Sequence, residues 1–508
     1  MSLRPSHDGL RFFNRAPVVS SSQQPACLHL LTKQAFSFVT YRFYFHPLAR
    51  FPGPWLGAFT DWYAAFYAWR GDLHTKDYEW HEKYGEIVRF GPNSLSFNTS
   101  KAVSDIYAVR ANVRKSNGYA SMSPSRYTPN TLTAISKNMH TFKRRILTQA
   151  FSDQNIKEME GRIQQNISSF LDILATNTGS ESEWSSPKDI SQICDWLAFD
   201  VITDLSYGND LDMLNSPQMR WFPSVVRKIS QRSLILLHGL FQPSFIRMRL
   251  DLVLLSQKYR EILAAARWTR SQAAARMEIG NNNEQKDIFN AMMNARDKKT
   301  GLQFTRKDLG LESMLLLVAG SDTTSTALSA TLNYILHDSN MLAHLKSVIR
   351  MTFPTESSIT TSSVLSSPDC AVLRACINEA MRLTPPAPNL LPRTVLSGGM
   401  EVDGIYILAG TTVGVSAYTI HRNKTYFYDP DSFEPERWLD DNVVNQQNMQ
   451  TAFVPFSVGP RKCVAWRLAW AELNLTIARV LWRCEYNFKA GVTTAVNGPV
   501  IEFRPRIA

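Results

Sequence analysis

The 508-residue chain is 44% hydrophobic and 11% aromatic, enough apolar material to bury a large core, which excludes a wholly disordered protein. Its net charge of +11 comes from 55 lysines and arginines dispersed among 44 acids, a pattern expected of a mostly solvated surface and not of a nucleic-acid footprint. The six cysteines, Cys27, Cys194, Cys370, Cys376, Cys463 and Cys484, include no CxxC pair and no zinc-ligand spacing, which fits a reducing, cytosol-facing location without a disulfide framework.

Residues 1 to 24 carry Arg4, Arg11 and Arg15, several serines and the single acid Asp8. The segment is expected to be disordered, with a transit peptide as the other reading. Residues 26 to 45 are richer in apolar groups, but His29, Lys33, Gln34 and Arg42 interrupt every window. A bilayer span needs roughly 20 mostly apolar residues, so no transmembrane helix is expected here. Contact with a membrane surface through this aromatic-rich stretch remains as a route to attachment. Pro47, Pro52 and Pro54 then stiffen the path and Gly53 permits a turn. The main folded domain is expected over 41–508, behind an N-terminal segment 1–40.

Residues 76–98 read as a helix ended near Gly85, a strand carrying Ile87 and Arg89, a Gly91-Pro92 turn and a second strand. From 111 to 135, Ser, Pro, Thr, Asn and Gly dissolve the pattern into a loop. NMHTFKRRILTQAF follows as a helix on which His140 and Arg144, four apart, share a face. On its own that is a solvated basic face. Residues 195–208, DWLAFDVITDLSYG, read as an amphipathic or fully buried helix stopped by Gly208 and assigned to the core. Residues 216–250, with Trp221, Phe222, Phe241 and Phe245, are apolar without clear caps, and Gly280 to Asn283 is a polar loop.

Residues 309–338 make a long apolar helix. Within it Ala319-Gly320-Ser321-Asp322-Thr323-Thr324 places an acid and two hydroxyls where burial is costly unless they are hydrogen-bonded. Glu379 and Arg382 lie three apart on a helix that ends before Pro385. Residues 400–416 alternate and turn at Asp403-Gly404 as a hairpin. Last comes FVPFSVGPRKCVAWRLAWAE, residues 453–472. The helix-favouring run behind Cys463 points its N-terminal amides at the sulfur, and Arg461 and Lys462 add positive charge, an environment that favours a thiolate.

Phe456, Gly459, Arg461 and Cys463, followed by Leu468, Ala469 and Glu472, make the pattern Phe-x-x-Gly-x-Arg-x-Cys. This resembles the haem-ligand loop of the cytochrome P450 family. The Ala319–Thr324 stretch, the Glu379-x-x-Arg382 pair with Pro385-Pro386 and Pro392-Arg393 behind it, and PERW at 435–438 occur in that family's order, so the resemblance covers about residues 41–505. It implies a mainly α protein, one large helical domain with a small β-rich lobe, in place of the several domains suggested by length alone.

The resemblance also assigns roles. The cofactor would be haem b with Cys463 as axial ligand of the iron, held by the loop of Phe456 and Arg461. His140, Arg144 and Arg393 would reach its propionates, His140 standing where the family usually has tryptophan. Ala319 and Gly320 would make room over the iron, Thr323 would hydrogen-bond the oxygen being activated, and Asp322 would relay protons from solvent. Splitting the O–O bond needs two protons while the thiolate pushes electron density from the other side. Glu379, Arg382 and Arg437 would form a buried charge network fixing the cysteine loop.

The activity implied is that of a haem-thiolate monooxygenase acting on a hydrophobic small molecule, similar to fungal members that tailor secondary metabolites. Loops at 111–135, 220–248 and 389–395 would shape its pocket. NADPH would supply electrons through NADPH-cytochrome P450 reductase, docked on a basic face around Lys462, with cytochrome b5 as a second donor. No G-x-G-x-x-G is present to bind the dinucleotide directly. The expected location is the cytosolic face of the endoplasmic reticulum membrane. Two alternatives stand beside this reading: an isomerase or dehydratase that consumes no O2, and a noncatalytic haem-binding protein. One departure bears on them. Ala465 occupies a position where the family usually has glycine, and alanine would cost about 1–2 kcal/mol there if positive φ were required.

Overall fold

The computed structural model describes residues 24–123, 125, 127–175, 184–208, 211–238, 256–280, 286–440, 443–488 and 500–506. The expected disorder of residues 1–23, the polar loop beyond Gly280 and the second half of the 216–250 stretch lie outside the described residues. The chain divides into two compact units, Met1–Arg50 and Phe51–Ala508. In the first, a helix Gln24–Thr40 continues into a π-helical turn Tyr41–Phe45, with Phe36, Tyr44 and Phe45 exposed. Among the described residues, no helix is long and apolar enough to cross a membrane.

In the second unit the helices that build the site are α1 (Lys137–Ala150), α2 (Ile190–Tyr207), α3 (Phe222–His238), α4 (Arg306–His337), α5 (Ala371–Leu383) and α6 (Trp466–Arg483). Local signals start and stop them. The Thr305 hydroxyl accepts the Asp308 N–H while the Asp308 carboxylate accepts the Thr305 N–H, a reciprocal cap that launches the 32 residues of α4, about 48 Å of helix. Gly208 ends α2 at φ 72°, and Gly85 ends the helix Leu73–Tyr84 at φ 94°, conformations that glycine adopts without a Cβ penalty.

Helix α4 runs through the middle of the unit. It packs most extensively on α2 and also against α5 and α6. Leu197, Val201, Leu328, Leu332, Leu475 and Ile477 meet in the main core, each side chain contributing about 1.5–3 kcal/mol by leaving water.

The β-rich lobe is a five-stranded sheet of β1 (Ile87–Gly91), β2 (Ser94–Phe97), β3 (Val113–Lys115), β4 (Arg393–Val395) and β5 (Thr412–Val415), in the order β1-β2-β5-β4-β3. Strand β3 and a helical turn, Gly118–Ser121, lie inside the stretch expected to be a loop. Three residues have no readable alternation. Pairing with β4 makes them a strand, in a register that sets Lys115 opposite Arg393. Asp403 at φ 51° and Gly404 at φ 74° turn the hairpin Met400–Val402/Ile405–Ile407 where the sequence predicts it.

Candidate active site

The loop before α6 is shaped by positive-φ residues. Ser457 has φ 58° and Gly459 φ 69°. A Cβ on Gly459 would sit 1.9 Å from the Tyr107 carbonyl oxygen, so glycine is required there both for its conformation and for the close approach. The chain then makes a tight turn, Gly459–Arg461, and the Cys463 N–H donates to the Phe456 carbonyl at 2.9 Å. Ala465 caps α6 at φ −94°. That conformation is open to any residue, so the departure from glycine carries no backbone strain and adds only a methyl group beside the sulfur.

Cys463 has an exposed surface, and it forms part of the wall of a cavity of about 320 Å³. Burial among protein atoms pushes its thiol up. The Ala465 N–H, Arg144 and Lys462 pull the other way without cancelling that rise. Those three groups are the ones in the chain that favour a thiolate at this sulfur.

Helix α4 contributes Leu316, Ala319, Gly320 and Thr323 to the same cavity. A Cβ on Gly320 would lie 2.8 Å from Ile202 of α2, so this glycine lets two helices approach closely. The Thr323 hydroxyl donates to the Ala319 carbonyl at 2.7 Å, which leaves its lone pairs free to accept. Asp322 is not on the cavity wall. It points between helices, where its Oδ2 accepts from the Ser230 hydroxyl of α3 at 3.3 Å. Burial, then the nearby charge of Asp195, raises its carboxyl above the usual range.

Basic side chains gather at another part of the wall. His140, Arg144, Arg461 and Lys115 line the cavity. Arg393 is buried close by, its Nη1 donating to the Leu391 and Pro392 carbonyls and lying 3.5 Å from the Tyr119 hydroxyl. Arg461 donates to the Ala134 and Ile135 carbonyls, and Arg144 to those of Lys462 and Cys463.

Burial and the charges of Arg461, Lys115, Arg144 and Arg393 bring His140 down to about 3, so in the protein alone it is neutral and offers no charge-assisted bond. Burial, with Arg393 and Arg461, holds Lys115 well below the usual lysine range. Burial, then Arg393, lowers Arg461 to about 10. Among the described residues, none of Lys115, Arg144, Arg393 and Arg461 forms an ion pair with a carboxylate. Buried like charges without counterions create a strong demand for anions.

A cysteine on the wall of an apolar cavity, small residues on α4 and a cationic rim awaiting two carboxylates make a site shaped for an iron porphyrin. The cytochrome P450 family model matches residues 52–497. The chain belongs to the cytochrome P450 family. It is 37% identical to cytochrome P450 monooxygenase poxM of Penicillium oxalicum, over 96% of each chain. It is 34% identical to cytochrome P450 monooxygenase atnE of Emericella nidulans, covering 92% of this chain and 94% of the relative. It is 33% identical to cytochrome P450 monooxygenase AKT7 of Alternaria alternata, covering 91% and 88%. Membership of the P450 family implies haem iron, a redox partner and a small-molecule substrate. The uncompensated cations fit the haem propionates and Cys463 fits the iron.

Three residues expected to form a charge network do meet. Glu379 lies between Arg382 (Nη2 to Oε1, 2.8 Å) and Arg437 (Nε to Oε1, 3.0 Å), all fully buried. Its oxygens also accept from the Trp438 indole and the Glu434 N–H. The arginines spend their other donors on the carbonyls of His421, Tyr428, Asp429, Pro430 and Ser432, which ties the strandless chain leading toward Cys463 onto α5.

Sequence reasoning missed several residues. Lys115 lies in a stretch read as loop. Lys143, buried between Asp308 (2.6 Å) and Glu312 (3.0 Å), sits on a helix face read only for its two neighbours. Glu312 also accepts the Thr131 N–H at 2.9 Å, joining α1, α4 and the loop over the cavity. The spacing Asp308-x-x-x-Glu312 was the one available signal, because it puts two acids on one face of an apolar helix. Glu472 was quoted only as part of the cysteine motif. It lines the cavity, burial pushes it up to about 8, and its Oε1 has no hydrogen-bond partner.

Proposed function

We propose that this P450 is a haem-thiolate monooxygenase that places one atom of O2 on a hydrophobic small molecule in fungal secondary metabolism. The observation that carries the reading is Cys463 and Thr323 on the wall of one cavity, with the relatives named as monooxygenases supporting it. Haem held by Cys463, with Arg144, Arg393, Arg461 and His140 around its propionates, would supply reductive activation of O2. The chain's own part is to orient and to move protons. The Thr323 hydroxyl accepts a hydrogen bond or gives up its bond to Ala319 to donate one. Asp322, raised by burial, carries protons between the helices and that hydroxyl. Leu315, Leu316, Ala387 and Leu391 line the cavity and suit an apolar substrate. The buried, unpartnered Oδ1 of Asn389 would accept one hydrogen bond from it.

We assign NADPH, through NADPH-cytochrome P450 reductase and with cytochrome b5 as a second donor, as the electron source. Lys462 and Arg467 flank the Trp466 ring beside the cysteine loop, a basic face suited to an acidic partner. Trp62, Phe66 and Trp69 share one exposed face of the helix Trp62–Arg70, the residue types that settle at a bilayer interface. This supports attachment to the surface of the endoplasmic reticulum membrane.

The test is purified protein, reductase and NADPH under O2, with the reduced carbon monoxide spectrum read first. A thiolate-type band that Cys463→Ala abolishes is expected, and a band that survives that change would refute the ligand assignment. Substrate turnover that persists without O2 would refute the monooxygenase reading. Co-sedimentation with anionic vesicles that is unchanged by W62S/F66S/W69S would refute the membrane face.

A further inference from the structure

Asp322 belongs to a small charge system at the junction of α2, α3 and α4. Asp195 of α2 uses both carboxylate oxygens: Oδ2 takes the Arg227 guanidinium of α3 at 2.6 Å, and Oδ1 accepts the Ser325 hydroxyl of α4 at 2.5 Å. Asp195 is buried, whereas the Arg227 side chain is 55% exposed, so the acid is fixed and the arginine has room to swing on its stem. Ser230, the hydroxyl that touches Asp322, is three residues beyond Arg227 and therefore on the same face of α3. Helix α3 thus presents to Asp322 a neutral donor in contact and a cation one turn away, whose charge Asp322 already feels.

We propose that Asp195 is a positioning residue for proton delivery: by occupying Arg227 it keeps that guanidinium off Asp322, and so leaves Asp322 free to take up and release a proton. The inference rests on the reading of Asp322 as the proton carrier. A carboxylate paired with arginine is held ionised and gives no proton to a neighbouring hydroxyl. With Asp195 neutralised, Arg227, whose charge Asp322 already feels, is released from its partner, and pairing with Asp322 would lock the relay. The arrangement makes a clear distinction from plain scaffolding, because removal of the arginine must cancel removal of the acid.

The experiment compares Asp195→Asn, Arg227→Gln, the double variant D195N/R227Q and Asp322→Asn. It measures peroxide released per NADPH consumed and the solvent deuterium isotope effect on product formation. A third measurement needs no turnover: the pH at which the infrared carboxyl bands of Asp322 titrate, assigned to it by their loss in D322N. Asp195→Asn is expected to raise peroxide release several-fold, enlarge the isotope effect and move the Asp322 titration to lower pH. Arg227→Gln stays near wild type in all three, and the double variant returns toward wild type. Wild-type coupling and an unmoved Asp322 titration in Asp195→Asn would overturn the proposal, as would a double variant as uncoupled as D195N. Normal coupling in Asp322→Asn would instead overturn the relay reading itself, a separate outcome.

Discussion

Replacing Lys143 by methionine removes the cation from between two acids while keeping most of its length. Lys143 and Glu312 are both fully buried, and Asp308 is nearly so. Asp308 keeps the Thr305 hydroxyl and N–H, so the loss falls on Glu312, left with the Thr131 N–H. Burial already pushes the Glu312 carboxyl up against the opposing pull of Lys143. Without the lysine it takes a proton. Protonating a glutamate of ordinary pKa near 4.3 at pH 7 costs about 3.7 kcal/mol, which sets the scale and agrees with the roughly 3–5 kcal/mol typical of breaking a buried pair.

The sign follows from proton binding. A folded-state pKa raised above the unfolded one makes the folded variant hold an extra proton, so its stability falls as pH rises through that interval. The loss in Lys143→Met is expected to be about 1 kcal/mol at pH 5 and to grow by about 1.4 kcal/mol per pH unit up to the new pKa. Urea midpoints of the haem-loaded protein at pH 5 and pH 7, beside wild type, give both numbers. A loss below about 1 kcal/mol at pH 7, or one equal at the two pH values, would refute the reasoning. Adding Glu312→Gln should recover much of the loss and flatten the pH dependence.

Gly459→Ala should prevent the cysteine loop from forming, since its methyl would meet the Tyr107 carbonyl at 1.9 Å in a φ 69° conformation; a destabilisation above about 4 kcal/mol and loss of the thiolate-type carbon monoxide band are expected, and wild-type spectra would refute it. Ala465→Gly should change stability by no more than about 1 kcal/mol and leave that band in place, because φ −94° suits both residues; a large gain in stability would show hidden strain. Lys115→Met should act with opposite signs on two measurements. The protein without haem melts higher, because a buried cation facing Arg393 and Arg461 is gone, while haem dissociates faster because a counter-charge to its propionates is gone. Equal signs would refute the counterion account.

The sequence by itself determined whatever depends on neighbours in the chain. Helix ends at Gly85 and Gly208 and the Asp403-Gly404 turn were legible because backbone conformation is settled within a few residues. The cysteine loop was legible for a related reason, its chemistry being compressed into one short segment. The tertiary structure alone decided which polar groups would be buried and what would face them. Lys115 looked like part of a loop until β4 paired with its strand and Arg393 and Arg461 closed over it. Lys143, Asp195 and Arg227 gave no sign of their partners, since nothing local marks a partner 165 residues along the chain, as Asp308 is to Lys143. Ala465 posed a question that only the folded backbone conformation could answer. Burial and long-range charge pairing are properties of packed surfaces brought together from distant segments, and one-dimensional spacing carries no record of them.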